Sequence, residues 1–200
     1  MFPAFLRQLG PSLRAMILFT VLVGLAYPLA LTGFAQVAVH GKANGSLLHQ
    51  NGRIVGSALI GQAYTDAHGN PLRQYFQSRP SAAGDGYDGL SSGASNLGPE
   101  NLVLIKAVKE RRAAIASFEG VDPARVPADA LLASASGLDN GISPAYAALQ
   151  VPRVAAARGI SEAVVRELVA DNTHGRGLGF LGESYVNVVE LNLALDRTTG

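Results

Sequence analysis

The sequence predicts an α+β domain carried on a single N-terminal transmembrane helix. Three observations point there. The stretch Ala15 to Val39 is apolar and holds no charged residue. Two strand-like runs follow it, split by Asn51-Gly52. Beyond them, capped helical stretches lie between strand-like segments at the two ends of the domain, a pattern of helices set against a sheet.

The apolar stretch reads AMILFTVLVGLAYPLALTGFAQVAV, and its only strongly polar side chain is Gln36. A helix rises about 1.5 Å per residue, so roughly 20 such residues cross a hydrocarbon core of about 30 Å. In lipid every backbone polar group needs a partner within the segment, which makes a helix the form for a lone crossing. Gly24, Tyr27-Pro28 and Gly33 lie within the run, and glycine and proline are common in spanning helices. A cleaved signal peptide has an apolar centre of about 7–15 residues. Length therefore favours an uncleaved anchor, despite a Gly33-Phe34-Ala35 triplet that resembles a cleavage site. Arg7 and Arg14 precede the run with the free amino group, and Lys42 and Arg53 follow it. Counted near the ends, this asymmetry places the N-terminus inside. The expected organisation is a short cytoplasmic N-terminus over 1–14, a transmembrane helix over 15–39 and an extracytoplasmic, periplasmic α+β domain over 40–200 of a bacterial inner-membrane protein.

The elements of the domain are predicted in order. Gly41 to Gly45 is a turn or short linker. Ser46–Gln50 and Arg53–Ile60 are strands joined at Asn-Gly, the strongest short hairpin signal. Tyr64 to Arg73 is turn-rich, and Gln74–Arg79 is a short aromatic segment. Ser81 to Pro99 is a long loop dense in Gly, Ser, Asp and Asn, of a length that marks a functional or a mobile segment. Pro99 opens a helix to Ser117, with Leu102, Ile105, Val108, Arg112 and Ile115 on one face and Lys106, Lys109, Glu110 and Arg111 toward water. Gly120-Val121-Asp122-Pro123 ends it. Pro127 to Ala135 is a second, short helix, and Ser136 to Ile142 a second small-residue loop. Ser143 caps a helix with Pro144 in its first position, running to Arg158, kinked or split at Pro152 and closed by Gly159. Ser161 caps a further helix to Asn172. Gly175 to Gly182 is a glycine-rich turn, Tyr185–Val189 a strand and Leu191–Asp196 the last apolar segment.

Composition excludes several functions. Two of the 16 basic residues, Arg7 and Arg14, precede the anchor, leaving 14 basic against 15 acidic residues beyond it. That balance carries no electrostatic footprint for nucleic acid. There is no cysteine, hence no disulfide framework and no thiolate metal site. Tryptophan is absent and aromatics are 6%, which argues against a base-stacking or sugar-stacking surface. His40, His49, His68 and His174 show no metal-ligand spacing.

Three motifs fail on context. Gly89-Leu90-Ser91-Ser92-Gly93 matches G-x-S-x-G, but turn formers precede it where a nucleophile elbow needs a strand. Gly177 to Gly182 matches G-x-G-x-x-G with a helix before and a strand after, the reverse of the dinucleotide fingerprint. Leu90 to Gly93 echoes a phosphate-contacting signature of transporter ATPases, yet the chain has no Walker A motif. What remains is a set of polar loop words carrying Tyr87, Asp88, Ser92, Ser95, Asn96, Ser136 and Asp139. Such loops line a ligand or ion path, pack against a partner, or form turns fixed by Asn and Asp side chains.

Those words resemble the C subunit of the Kdp potassium-transporting P-type ATPase. The resemblance runs over nearly the whole chain: Gly24 and Tyr27-Pro28 in the anchor, Gly56 to Gln62, Tyr75 to Ala82, Tyr87-Asp88 and Ser92 to Pro99. It continues through Ala135 to Asp139, Ile142 to Ala145, Gln150, Arg153 to Ala155, Ala157 to Gly159, Leu178 to Glu183, Val186 to Val188 and Leu191 to Asp196. One departure is Asn140-Gly141, where the family usually has Pro-His. The resemblance implies a non-catalytic, single-pass accessory subunit with three partners: a channel-like potassium-translocating subunit, an ATP-hydrolysing P-type subunit and a small single-helix subunit. It implies potassium as the transported ion and no cofactor held by this chain itself. The favoured role is stabilising the assembly and covering the potassium entrance. The alternative the family carries is a chaperone that raises the pump's affinity for ATP, with Gln150 the candidate nucleotide contact. The topology opposes that contact, because only about 14 residues, through Arg14, lie on the cytoplasmic side. A remote alternative is a secreted serine hydrolase using Ser91.

Overall fold

The computed structural model describes residues 2–198, in two units divided between Ser46 and Leu47. The first unit is helical almost throughout: α1 over Phe2–Phe19, a π-helical stretch over Thr20–Ala26 and α2 over Tyr27–Ala38. Within it, the 32 residues Arg7–Ala38 are long and apolar enough to cross a membrane. All of the expected stretch but Val39 falls inside this helix, which begins earlier than the apolar run. Pro28 explains the widened turn. It has no N–H, and in a regular helix its ring would meet the carbonyl of Gly24, four residues back. The wider turn shifts pairing by one residue, so the Tyr27 N–H reaches the Leu22 carbonyl. A Cβ at Gly24 would meet only Thr20, at 3.8 Å.

Val39 leaves the helical region, and a single further helical turn, α3, covers His40–Ala43 where a turn or short linker was expected. The Asn44 amide pairs with the Gln36 amide in both directions, at 3.0 and 3.2 Å, and donates to the His40 carbonyl at 2.7 Å. The one strongly polar side chain of the apolar run is thereby satisfied at its end.

The second unit is a mixed helix and sheet domain. Strands β1 (Leu47–Gln50) and β2 (Arg53–Ser57) pair antiparallel. Asn51 (φ 50°) and Gly52 (φ 76°) both sit in the left-handed region that a two-residue hairpin of matching twist requires. β2 stops short of Ile60 because the Ser57 hydroxyl captures the Leu59 N–H and turns the chain. Helix α4 covers Leu102–Glu119, capped by Asn101 rather than opened by Pro99. Its expected face is only half right. Val108 and Ile115 pack on the core and Ala116 is buried, but Leu102 is 80% exposed and Val103 66%. Arg111 does not face water alone: it donates to the Leu131 carbonyl at 2.9 Å. The short helix expected over Pro127 to Ala135 is reduced to a single 3₁₀ turn, Ala128–Ala130, and another, Pro123–Arg125, precedes it. Asp122 caps the earlier of the two, and Asp129 accepts the N–H and hydroxyl of Ser143, so both acids act outside a longer helix.

Strand β3 (Gly141–Ile142) leads into α5 (Pro144–Arg158), capped by Ser143 as expected. Pro152 does not split α5. It lies on the exposed side, where water satisfies the carbonyl it cannot bond. Helix α6 (Glu162–Asp171), capped by Ser161, precedes β4 (Thr173–His174). β5 (Tyr185–Asn187) is central in a three-stranded antiparallel sheet of order β3-β5-β4. The domain does not close on a strand. Asn187 accepts the N–H groups of Val189 and Glu190, starting α7 (Val188–Thr198) directly from β5. Leu191, Asn192 and Leu195 then face inward with Val151, Val154, Val165 and Val186.

Between these helices runs a segment, residues 73–77, that turns over 73–75 and belongs to no strand. Phe76 at its centre is fully buried. Side chains supply the bonds that neighbouring strands would have made. The Asn192 amide accepts the Phe76 N–H at 2.9 Å and donates to the Phe76 carbonyl at 3.0 Å. Arg158 donates to the Gln74 carbonyl at 2.7 Å and pairs with Asp196 at 2.8 Å. Asn192→Ala strands a buried N–H and a buried carbonyl together, at about 1–3 kcal/mol each. Chemical denaturation of the full chain in detergent, followed by circular dichroism, is expected to show a loss of about 2–6 kcal/mol.

Candidate functional site

The two small-residue loops meet. The Ser81 hydroxyl donates to the Gly137 carbonyl at 2.6 Å and accepts the N–H groups of Ala83 and Tyr87. Ser92 Oγ and the Gly93 N–H both reach the Ser136 carbonyl, each at 2.9 Å. The hydroxyls of Ser134 and Ser136 hold the turn through Gly137 and Leu138 from within. The Gly61 N–H donates to the Leu138 carbonyl at 2.9 Å, adding a third segment. Asp139 pairs with Arg79 at 3.0 Å, and Asp88 accepts the Leu90 N–H. The Tyr87 hydroxyl donates to the Arg79 carbonyl at 2.8 Å, and burial pushes that phenol up to about 12.

The structure thus brings together Tyr87, Asp88, Ser92, Ser136 and Asp139 as parts of one stitched loop layer. Ser95 instead lines a separate hollow of about 340 Å³ with Leu97, Leu104 and Leu132. Asn96 is exposed at a left-handed turn (φ 51°). Two glycines permit the close approach. A Cβ at Gly137 would stand 2.7 Å from backbone atoms of Ala83 and Gly93, and one at Gly61 2.2 Å from the Asp139 carbonyl.

Asn140-Gly141 is built into the same region. The Asn140 side chain donates to the Ala58 carbonyl, which also takes the Asn187 amide at 2.9 Å. The ring of Tyr185 covers Gly141, where an added Cβ would lie 2.5 Å from it. Any side chain at 141 requires Tyr185 to move. Arg79, Asp129, Asp139, Ser143 and Glu183 line a hollow of about 410 Å³ beside it. Among the described residues no group of three or more His, Asp or Glu is placed to hold a metal ion. Ser91 lies in a turn, its N–H on the Asp88 carbonyl, without the strand and helix of a nucleophile elbow. Gly177 to Gly182 is a tight turn that leads to β5 rather than to a helix.

Gln150 is in a different place altogether. It is fully buried on α5. Its amide oxygen accepts the Gln77 N–H at 2.7 Å and an Arg153 N–H at 2.8 Å, and its nitrogen donates to the Gln77 carbonyl at 3.1 Å. Arg153, one turn on, donates to the carbonyls of Arg73 and Tyr75 and to both oxygens of Glu119. Both side chains of this ion pair are 1% exposed, and the guanidinium lies over the Phe118 ring at 4.7 Å. Burial raises the Glu119 pKa above the usual carboxylate range, and Arg153 pulls against that rise. Sequence reasoning missed Glu119, Arg153, Arg158 and Asn192. Their trace was polar residues at helical spacing within apolar faces, as at Gln150 and Arg153 among Val151 and Val154.

Removing one member of a buried ion pair costs about 3–5 kcal/mol, whereas replacing both with apolar groups costs far less. Arg153→Met is therefore expected to lower the melting temperature sharply, and Arg153→Met with Glu119→Leu to recover part of that loss. Gly61→Ala forces backbone apart and is expected to destabilise by about 1–3 kcal/mol by the same measurement.

Comparison with known proteins agrees with this layout over the length of the chain. The family model described as KdpC, K+-transporting ATPase, c chain, matches residues 9–197. A potassium-transporting ATPase KdpC subunit of Kineococcus radiotolerans is 54% identical over 190 residues, covering 95% of this chain and 93% of the relative. The subunit of the same name from Mycobacterium tuberculosis is 52% identical over 193 residues, covering 96% and 98%. That of Beijerinckia indica is 50% identical over 191 residues, covering 96% and 94%. A match across the apolar helix, the stitched loops and the clamped segment together places the chain in the KdpC family, the c chain of K+-transporting ATPases.

Proposed function

We propose that this chain is a non-catalytic accessory subunit of an ATP-driven potassium uptake complex. It joins the channel-like, the ATP-hydrolysing and the small single-helix subunits through its N-terminal helix. Its domain, outside the cytoplasm, stabilises the assembly and covers the potassium entrance. The observation that carries this reading is how the domain's polar groups are used. Tyr87, Ser92, Ser136 and Asp139 bond to neighbouring loop backbone or to Arg79, the pattern of a rigid docking body.

The burial of Gln150 supports this role over direct nucleotide contact. Both ends of its amide already hold Gln77 and Arg153. A nucleotide would have to displace the buried segment to reach it. Arg7 and Arg14, before the charge-free run 15–39, support an N-terminus inside.

The chain has no cysteine, so a single cysteine reports topology cleanly. Leu90 is fully exposed. In intact cells Leu90→Cys is expected to react with a membrane-impermeant maleimide, as in lysed cells. Reaction only after lysis would place the domain inside and restore the nucleotide reading. The wild-type chain is also expected to co-purify with the pump and translocation subunits. A complex that assembles and transports potassium equally well without the chain would refute the accessory role.

A further inference from the structure

A hollow of about 430 Å³ opens beside the Arg153–Glu119 pair, a size that suits a small organic ligand. One wall is a stripe of α4, with Arg111, Ala114, Ile115 and Phe118 at helical spacing. The chain just after Phe76 and Tyr146 of α5 add to the lining. The polar side chains after Phe76 are already engaged. Gln77 donates to the carbonyls of Tyr64 and Leu72, Ser78 to that of Gln62, and Arg79 to that of Leu132 and to Asp139. Two other donors are not. Tyr146 is 3% exposed, and its N–H reaches Ser143, but no described residue bonds its hydroxyl. Among the described residues, every side-chain N or O sealed from solvent has a partner. The Tyr146 hydroxyl therefore opens on the hollow that its side chain lines. Burial, with the Glu119 charge adding to it, pushes this phenol well above its ordinary value, so it stays an O–H donor. Arg111 is half-buried and gives one N–H to the Leu131 carbonyl. Its other N–H groups meet no carboxylate among the described residues.

We propose that this hollow binds a small monocarboxylate with a short apolar body. The two spare donors, the Tyr146 hydroxyl and the Arg111 fork, suit the oxygens of one carboxylate. Ala114, Ile115 and Phe118 offer the body an apolar wall. The charges agree. Glu119, the one acid in the lining, gives both oxygens to Arg153, and Arg79 is held by Asp139. Arg111 is left without a counter-charge, and Arg73, over the Phe118 ring at 5.2 Å, adds a further positive charge. A neutral ligand of the same shape would leave that charge unanswered, and a triphosphate carries more negative charge than Arg111 and Arg73 balance. Glu119 and Gln77 belong both to this lining and to the contacts that hold residues 73–77. A bound acid therefore favours the folded arrangement and raises the melting temperature. The inference stands apart from the accessory-subunit reading and does not rest on it.

The test uses the full chain in nanodiscs and para-trifluoromethylbenzoate, a carboxylate on an apolar ring, with bare nanodiscs as the blank. Fluorine NMR line broadening is expected to saturate with the chain present, and the probe to raise the chain's melting temperature. The uncharged amide of the same acid is expected to bind at least tenfold more weakly. Arg111→Gln is expected to weaken the acid at least tenfold, but it also frees the Leu131 carbonyl. Tyr146→Phe frees no partner and is the deciding variant. It is expected to keep the melting temperature of the chain without probe while weakening the acid at least fivefold. Broadening no greater than that of bare nanodiscs overturns the inference. Equal binding of acid and amide also overturns it, as does acid binding that Tyr146→Phe leaves unchanged, since the hollow then takes apolar solutes without reading the carboxylate.

Discussion

The domain depends on a segment around the buried Phe76 that has no strand beside it. The carbonyls from Arg73 to Gln77 all receive a bond from a side chain of α5 or α7. A buried backbone group left unpaired is among the more costly defects a fold can carry. Here sheet is replaced by two carboxamides and two guanidiniums. The carboxamides have the right geometry for it. Gln150 and Asn192 each offer a donor and an acceptor, so each closes a ring with one residue's backbone, as a strand would. Arginine adds a fork that spans two carbonyls and still holds a carboxylate. The arrangement is mutually dependent, because Arg153 positions Gln150 and is itself neutralised by Glu119.

This division of labour separates the molecule's polar residues into two layers. The clamps are buried and bind helices to the segment. The loop layer is partly exposed and binds loops to loops. Between them they explain why a chain without cysteine and with few aromatics holds a defined shape. They also account for the chain's many serines and glycines: hydroxyls cap neighbouring carbonyls, while Gly61 and Gly137 let backbones approach to distances that a Cβ would prevent.

Much of this is legible in the sequence. The apolar helix, the Asn-Gly hairpin and the caps at Ser143 and Ser161 are local devices, and local chemistry reports them. Sequence and structure part where a tertiary partner outweighs local pattern. Leu191–Asp196 is as apolar as a strand, yet Asn187 caps it and it forms a helix. Pro127 to Ala135 has helical composition, but Asp129 is drawn to Ser143. Pro152 breaks helices in general, though not where water can take the spare carbonyl. The loop words mark a real layer, while the long-range pairing of that layer leaves no periodicity to read. The clamps are less legible still, since a glutamine on a helix has the same sequence signature whether it faces solvent or a buried backbone.

The position of Asn192 bears on how the domain comes into being. It lies 116 residues beyond Phe76, the residue it holds, and Arg153 lies 80 beyond Arg73. Contacts so distant along the chain form slowly and only when both ends exist. The middle of the domain therefore waits, unsettled, until the last helix has been made. Any product cut short before α7 therefore lacks the part that locks the centre.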